Sequence, residues 1–138
     1  AGFIATDLSD IPAAARWQDP QSVTDAGLNL AARSWLDINC GHCHNPVGPA
    51  DTSGLFINWQ ETDKRRLGYC KVPIATGGGS GGRSVSISPG KPDESILVFR
   101  VGSDDPAAMM PEIGRSLVHQ EGAALIRRWV ASLEGQCS

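Results

Sequence analysis

Five consecutive residues, Cys40-Gly41-His42-Cys43-His44, carry the side chains best suited to chemistry in this chain of 138 residues. Two thiols three positions apart lie on the same face of a helical turn. Both can therefore form thioethers along one edge of a porphyrin, while the imidazole of the next residue binds the iron. Cys-x-x-Cys-His is the spacing of a c-type haem attachment site. The sequence thus predicts one covalent haem c, attached through Cys40 and Cys43, with His44 as an iron ligand.

Three other chemistries fit part of this motif and stay open. Cys-Gly-His-Cys is also the active-site tetrapeptide of protein disulfide isomerases, but there it follows a strand of a βαβ unit. Cys40, Cys43, His44 and Cys70 could form a zinc site, although adjacent Cys43 and His44 rarely both point at one ion. Cys40 and Cys43 could also form a structural disulfide.

A haem iron that only carries electrons needs a sixth ligand, and Met110 is the predicted one. The following Pro111 biases Met110 to an extended conformation, so its thioether can reach across a loop to the iron. A methionine ligand raises the reduction potential relative to two histidines. Met109 and His119 are the alternative ligands in this chain.

The elements that must position these residues are predicted to be helices. Apolar residues recur at spacings of three and four before the motif, which indicates a helix from Ser22 to about Asn39, with Ser22 and Asp25 as its capping pair. A short helix is expected near residues 95–101. A last helix is expected after Ser116 as N-cap. No run of residues alternates between polar and apolar over the length of a strand, so the predicted fold class is all-α. The predicted buried stripe of the first helix is Leu28, Ala31, Ala32, Trp35 and Ile38. That of the last helix is Gly122, Ile126, Trp129, Val130 and Leu133.

The irregular regions also constrain the fold. Residues 1–21 show little pattern and are interpreted as an N-terminal strap or linker, without the basic start and apolar core of a signal peptide. Residues 45–92 are rich in proline and glycine, which predicts long functional loops. The glycine run at 77–82 is interpreted as a loop that approaches a bulky ligand closely, with a flexible linker as the alternative.

Composition narrows the classes of function. Hydrophobic residues make up 41%, charged residues 20%, and the net charge is −3, as in an ordinary globular protein. No stretch is long and apolar enough to span a membrane, and the acidic balance argues against a nucleic-acid partner. Residues 60–83 nevertheless hold five bases against two acids. This excess is either a solvated face or a patch that faces an anionic group or a redox partner.

These features together resemble class I cytochromes c: a helix that ends in the motif, Gly48-Pro49 soon after, a Met110-Pro111 loop and a final helix. The chain is also similar to bacterial cytochrome domains appended to secreted carbohydrate-active proteins. Those domains share Trp-Leu-Asp-Ile-Asn-Cys-Gly-His-Cys-His-Asn-Pro at 35–46 and Met-Met-Pro-Glu at 109–112. The resemblance implies a single cytochrome c-like domain over residues 22–138, with long loops around one haem.

The resemblance also implies a function. It is one-electron transfer by a monomeric carrier, not an enzyme, located in the bacterial periplasm or secreted. The expected partner is a redox protein, with a secreted copper polysaccharide monooxygenase as the candidate. The alternatives are a haem protein with an open or labile sixth site that acts as a peroxidase or gas binder, and a protein in which haem is only a structural staple.

The resemblance and the residue types indicate further site residues. In class I cytochromes a proline carbonyl accepts the Nδ1–H of the iron-bound histidine, and Pro49 is the candidate, with Pro46 competing. Trp59 and Arg83, ahead of Tyr69 and Phe56, are expected around the haem and its propionates. Because cytochromes c mature in an oxidising compartment, Cys70 and Cys137 are predicted to form a disulfide rather than two free thiols, stabilising the fold by about 4 kcal/mol.

Overall fold

A computed structural model describes residues 15–138, so most of the predicted N-terminal strap lies outside the described residues. The described residues form three α-helices: α1, Leu28–Leu36; α2, Ile96–Gly102; and α3, Gln120–Ser132. Within residues 15–138 there is no strand, and only isolated bridges join Tyr69 to Ile87 and Val85 to Ser95. The all-α prediction is confirmed, and none of the described helices could cross a membrane.

Helix α1 is extended by a tighter helical turn before its first residue and by a wider helical turn after its last residue. A 3₁₀ turn, Asp25–Gly27, leads into it, and a π-helical stretch, Asp37–Gly41, continues it into the Cys-x-x-Cys-His motif. The predicted stripe is buried from Leu28 to Trp35, but Ile38 is 45% exposed. The wider π turn rotates the residues after Leu36 relative to an ideal helix, which explains why Ile38 faces outward and Cys40 inward.

Both predicted N-caps were wrong. The hydroxyl of Ser22 donates to the carbonyl of Asp19 in a turn, so the helical segment starts later. Helix α3 begins four residues after Ser116, and His119 precedes its first turn. The Trp35 indole N–H donates to Nδ1 of His119 over 3.2 Å, and this contact fixes where the chain enters α3.

The core forms where α1 meets α3. Trp129, Ile126 and Val130 of α3 are buried, and the Trp129 indole N–H donates to the Asn29 side-chain oxygen over 3.0 Å. A Cβ on Gly122 would overlap the indole of Trp35. A residue without a side chain is therefore what lets α3 lie this close to α1.

The C-terminus is tied back to the loop region. Cys70 and Cys137 form a disulfide, as predicted. The glycine run forms a 3₁₀ turn, Gly77–Ser80, that packs on α2. A Cβ on Gly79 would lie 3.2 Å from the guanidinium carbon of Arg100.

Candidate functional site

A cavity of about 640 Å³ lies between the end of the extended α1 and α2. This volume falls within the range of about 300–1,000 Å³ that ligand pockets occupy. Cys40, Cys43 and His44 line it from the motif, Met110 lines it from the loop after α2, and Pro49 also contributes. The structure thus brings together residues that are far apart in the sequence. The lining also includes several apolar side chains: Leu55, Ile57, Ile74, Ile96, Leu97, Val101 and Ile113.

The motif forms a compact turn. The backbone N–H groups of Cys43 and His44 both donate to the carbonyl of Cys40, over 3.1 and 2.9 Å. A Cβ on Gly41 would lie 3.1 Å from the Cα of Asn58, so the turn is packed closely on the following loop. Cys40 is buried, Cys43 is half-buried, and their two thiols are not joined.

The cysteines do not suit the other chemistries considered. Burial raises the pKa of the Cys40 thiol to about 12, with Cys43 adding to the shift and Arg115 opposing it. A protonated, buried thiol is a poor nucleophile, which argues against disulfide exchange. Cys70 is committed to its disulfide and cannot be a zinc ligand. Across residues 15–138 no three His, Cys, Asp or Glu side chains are grouped to hold a metal ion.

His44 is held from two sides by the segment that follows it. Its Nδ1 lies 3.2 Å from the carbonyl oxygen of Leu55 and 3.4 Å from the hydroxyl of Ser53. The N–H of Ile57 donates to the His44 carbonyl over 3.0 Å. Burial lowers the pKa of His44, while the Leu55 bond opposes this. The neutral imidazole is the form that binds metals, through the nitrogen that Leu55 does not engage.

The acceptor of the His44 ring is therefore Leu55, and the expectation for Pro49 or Pro46 was wrong. Residues 45–54 coil through successive turns, in which Gly48 N–H donates to Asn45 and Ser53 N–H to Ala50. The chain returns to the His44 ring at the end of this coil, with the hydroxyl of Ser53 and the carbonyl of Leu55.

Met110 lies outside any helix, in agreement with the effect expected of Pro111. Its N–H donates to the carbonyl of Arg100 over 3.1 Å, which docks the loop on the end of α2. Met109 does not line the cavity. His119 does not line it either, because its ring stacks between Trp17 and Trp35.

Trp59 and Arg83 are placed away from this cavity. Trp59 lines a second, shallower cavity of about 360 Å³ together with Tyr69 and Arg33. The guanidinium of Arg83 donates to the carbonyls of Asp93 and Gly81 and lies over the ring of Phe99, 4.4 Å from its centroid. These local contacts hold the Arg83 side chain away from the cavity that the motif lines.

The glycine run also stays outside the cavity, which Pro73 to Thr76 line instead. The expected close approach of this run is thus made to the side chains of α2: a Cβ on Gly81 would lie 2.6 Å from the ring of Phe99.

Two cations in the cavity wall were missed by the sequence analysis. The Arg100 side chain is only 18% exposed, donates from Nε to the Ala108 carbonyl over 2.8 Å and lies 3.9 Å from the Glu112 carboxylate. Burial lowers its pKa. Lys71 donates to the Ser53 carbonyl over 2.8 Å. Arg100 lies three residues after Leu97 on the same helix face, and this spacing could have identified it.

Comparison with known proteins found no matching family model, no matching curated protein and no matching solved structure.

Proposed function

We propose that this chain is a one-electron carrier that holds a single c-type haem, with His44 and Met110 as axial ligands. One observation carries the proposal: both thiols of the motif, the imidazole that follows them and a thioether 66 positions later line the same cavity. A cavity that brings together both thiols, the His44 imidazole and the Met110 thioether, with apolar side chains and two cations in its wall, fits a covalently attached porphyrin.

The residues have distinct roles in this proposal. Cys40 and Cys43 form the thioether bonds, and His44 binds iron through Nε2 while Leu55 accepts its Nδ1–H. That hydrogen bond fixes the ring and increases its basicity. When bound, the haem supplies an iron that alternates between the ferric and ferrous states. Arg100 and Lys71 are the cations available in the cavity wall for its carboxylates.

Electron transfer is favoured over catalysis because protein side chains are available for both axial positions. An iron ligated on both sides offers no position to a substrate. Peroxidase activity or gas binding would require Met110 to leave, and its backbone hydrogen bond to Arg100 opposes that movement.

The proposed setting is the bacterial periplasm or the extracellular space, with a redox protein as partner. The Cys70–Cys137 disulfide supports an oxidising compartment. Ile74 and Ile113 line the cavity and are 71% and 83% exposed, which supports an approach of the partner at its mouth. A secreted copper polysaccharide monooxygenase remains the candidate partner on the resemblance alone.

The visible spectrum of the holoprotein tests the proposal. A ferrous spectrum typical of haem c, a ferric sulfur-to-iron charge-transfer band and no change on addition of carbon monoxide are expected. Ready binding of carbon monoxide at neutral pH would replace the carrier with the gas-binding or peroxidase alternative. Electron transfer to a copper monooxygenase, measured by stopped flow, tests the partner separately.

A further inference from the structure

The C-terminal end of α2 is the place where the loop carrying Met110 attaches. The last carbonyls of a helix have no partner within the helix. Here the Arg100 carbonyl accepts the N–H of Met110 over 3.1 Å. The guanidinium of Arg115 donates to the carbonyl of Val101 over 2.8 Å, to that of Arg100 over 3.5 Å and to that of Ser103.

Arg115 is also the main attachment of the segment that follows Met110. Within the described chain, residues 111–118 make no other hydrogen bond to the rest of the protein, and their one ion pair joins Glu112 to Arg100 over 3.9 Å. Glu112 is largely exposed, whereas Arg115 is half-buried. A single ion pair at 3.9 Å with an exposed carboxylate contributes little, so the Arg115 guanidinium carries most of the polar attachment.

We propose that Arg115 is the positioning residue for the Met110 ligand: its guanidinium fastens the loop to the C-terminus of α2 and so keeps the thioether in the cavity. This inference rests on the proposed function. Met110 and Arg115 attach to the same carbonyl, that of Arg100. Release of Arg115 therefore leaves only the Glu112–Arg100 ion pair on the far side of Met110. The near side keeps the Met110 N–H bond and the Ala108 carbonyl, which accepts from Arg100 Nε.

The planar fork of arginine is what this position requires. One guanidinium reaches three carbonyls at once, while a lysine ammonium on a flexible stem cannot reproduce that geometry. Arg115→Met removes both the charge and the donors, and Arg115→Lys keeps the charge alone. The two variants separate positioning from electrostatics.

Arg33 provides the matched control. Its Nη2 also donates to three backbone carbonyls, those of Asn58, Trp59 and Glu61. Arg33→Met thus removes a comparable set of hydrogen bonds from a loop that does not carry Met110. A general loss of stability would affect Arg115→Met and Arg33→Met alike.

The experiment measures imidazole binding to the ferric holoprotein and hydrogen exchange at the Met110 amide. We expect Arg115→Met to bind imidazole about tenfold faster than wild type and to lose protection of the Met110 amide by a similar factor. Arg115→Lys should behave like Arg115→Met, and Arg33→Met like wild type.

The outcomes separate the two proposals. If wild type shows the sulfur-to-iron band and Arg115→Met binds imidazole no faster than Arg33→Met, Arg115 does not position the ligand and the carrier proposal stands. If Arg115→Lys fully restores wild-type rates, charge rather than geometry acts, and the positioning role is rejected. If wild type shows no such band, Met110 is not a ligand and both proposals fail.

Discussion

The Nδ1 atom of His44 lies 3.2 Å from the carbonyl oxygen of Leu55, eleven residues further along the chain. The turns between these two residues have to bring the Leu55 carbonyl next to the His44 ring for this contact to form. The imidazole orientation therefore depends on the backbone path of residues 45–54, which brings both the Leu55 carbonyl and the Ser53 hydroxyl to Nδ1.

Gly48 is the residue on which that coil depends most. A Cβ at this position would overlap the Cys43 carbonyl oxygen and lie 2.8 Å from the Asn45 amide nitrogen. We expect Gly48→Ala to lower the free energy of unfolding by about 1–3 kcal/mol through overpacking. Chemical denaturation measures it. Gly78→Ala is the control, since nothing lies within 4 Å of its added Cβ and no effect of similar size is expected. Equal stability of both variants would contradict the close packing.

Covalent attachment can be tested by extraction. Haem should remain with the polypeptide after acid–organic extraction, and the intact mass should exceed the sequence mass by one haem. The physical reason is the turn that places Cys40 and Cys43 along one cavity wall. Replacing both cysteines by alanine should abolish the added mass. Haem that extracts freely from wild type would rule out the thioether bonds.

Met110→Ala should remove the sixth ligand. The ferric sulfur-to-iron band should disappear, and carbon monoxide binding and peroxidase activity should both appear. Met110→His should keep the site closed and lower the reduction potential, because a thioether favours ferrous iron more than imidazole does. Absorption spectra and potentiometric titration measure these changes.

The neighbouring methionine supplies the control for that series. Met109 does not line the cavity, so Met109→Ala should keep the band. Loss of the band in Met109→Ala and its survival in Met110→Ala would exchange the roles of the two methionines without changing the proposed function.

The disulfide between Cys70 and Cys137 should appear as one linked species in peptide maps made without reductant. The two cysteines are 67 residues apart, and closing this loop is expected to contribute about 4 kcal/mol to the free energy of unfolding. The Cys70→Ser, Cys137→Ser double variant should therefore unfold at a clearly lower denaturant concentration. Labelling of both thiols in unfolded, unreduced protein would show that the bridge does not form.

The local parts of the site were predictable from the sequence because they depend on short-range geometry. The stripe of α1, the placement of Met110 outside a helix and the Cys70–Cys137 pair all follow from spacing, proline stereochemistry and cysteine count. The helix spacing and the effect of proline act only on neighbouring residues, and the disulfide depends only on which two cysteines pair.

The parts that were missed depend on how the chain turns between elements. The positions of the prolines could not predict which carbonyl accepts the His44 Nδ1 hydrogen bond. The number of turns in residues 45–54 decides which carbonyl lies next to that nitrogen. Ile38 faced outward because a π turn follows Leu36. Trp59 and Arg83 were assigned to the cavity by residue type alone, and tertiary contacts hold them elsewhere.

The Cys70–Cys137 bond also makes the chain topologically a ring with a tail. Residues 70–137, with α2, Met110 and α3, form the covalent ring, and α1 with the Cys40–His44 motif belongs to the tail. A protease that cuts once within the glycine run at 77–82 opens the ring but releases no fragment. The protein then continues as a two-chain molecule under oxidising conditions and separates into its pieces only when it is both reduced and unfolded.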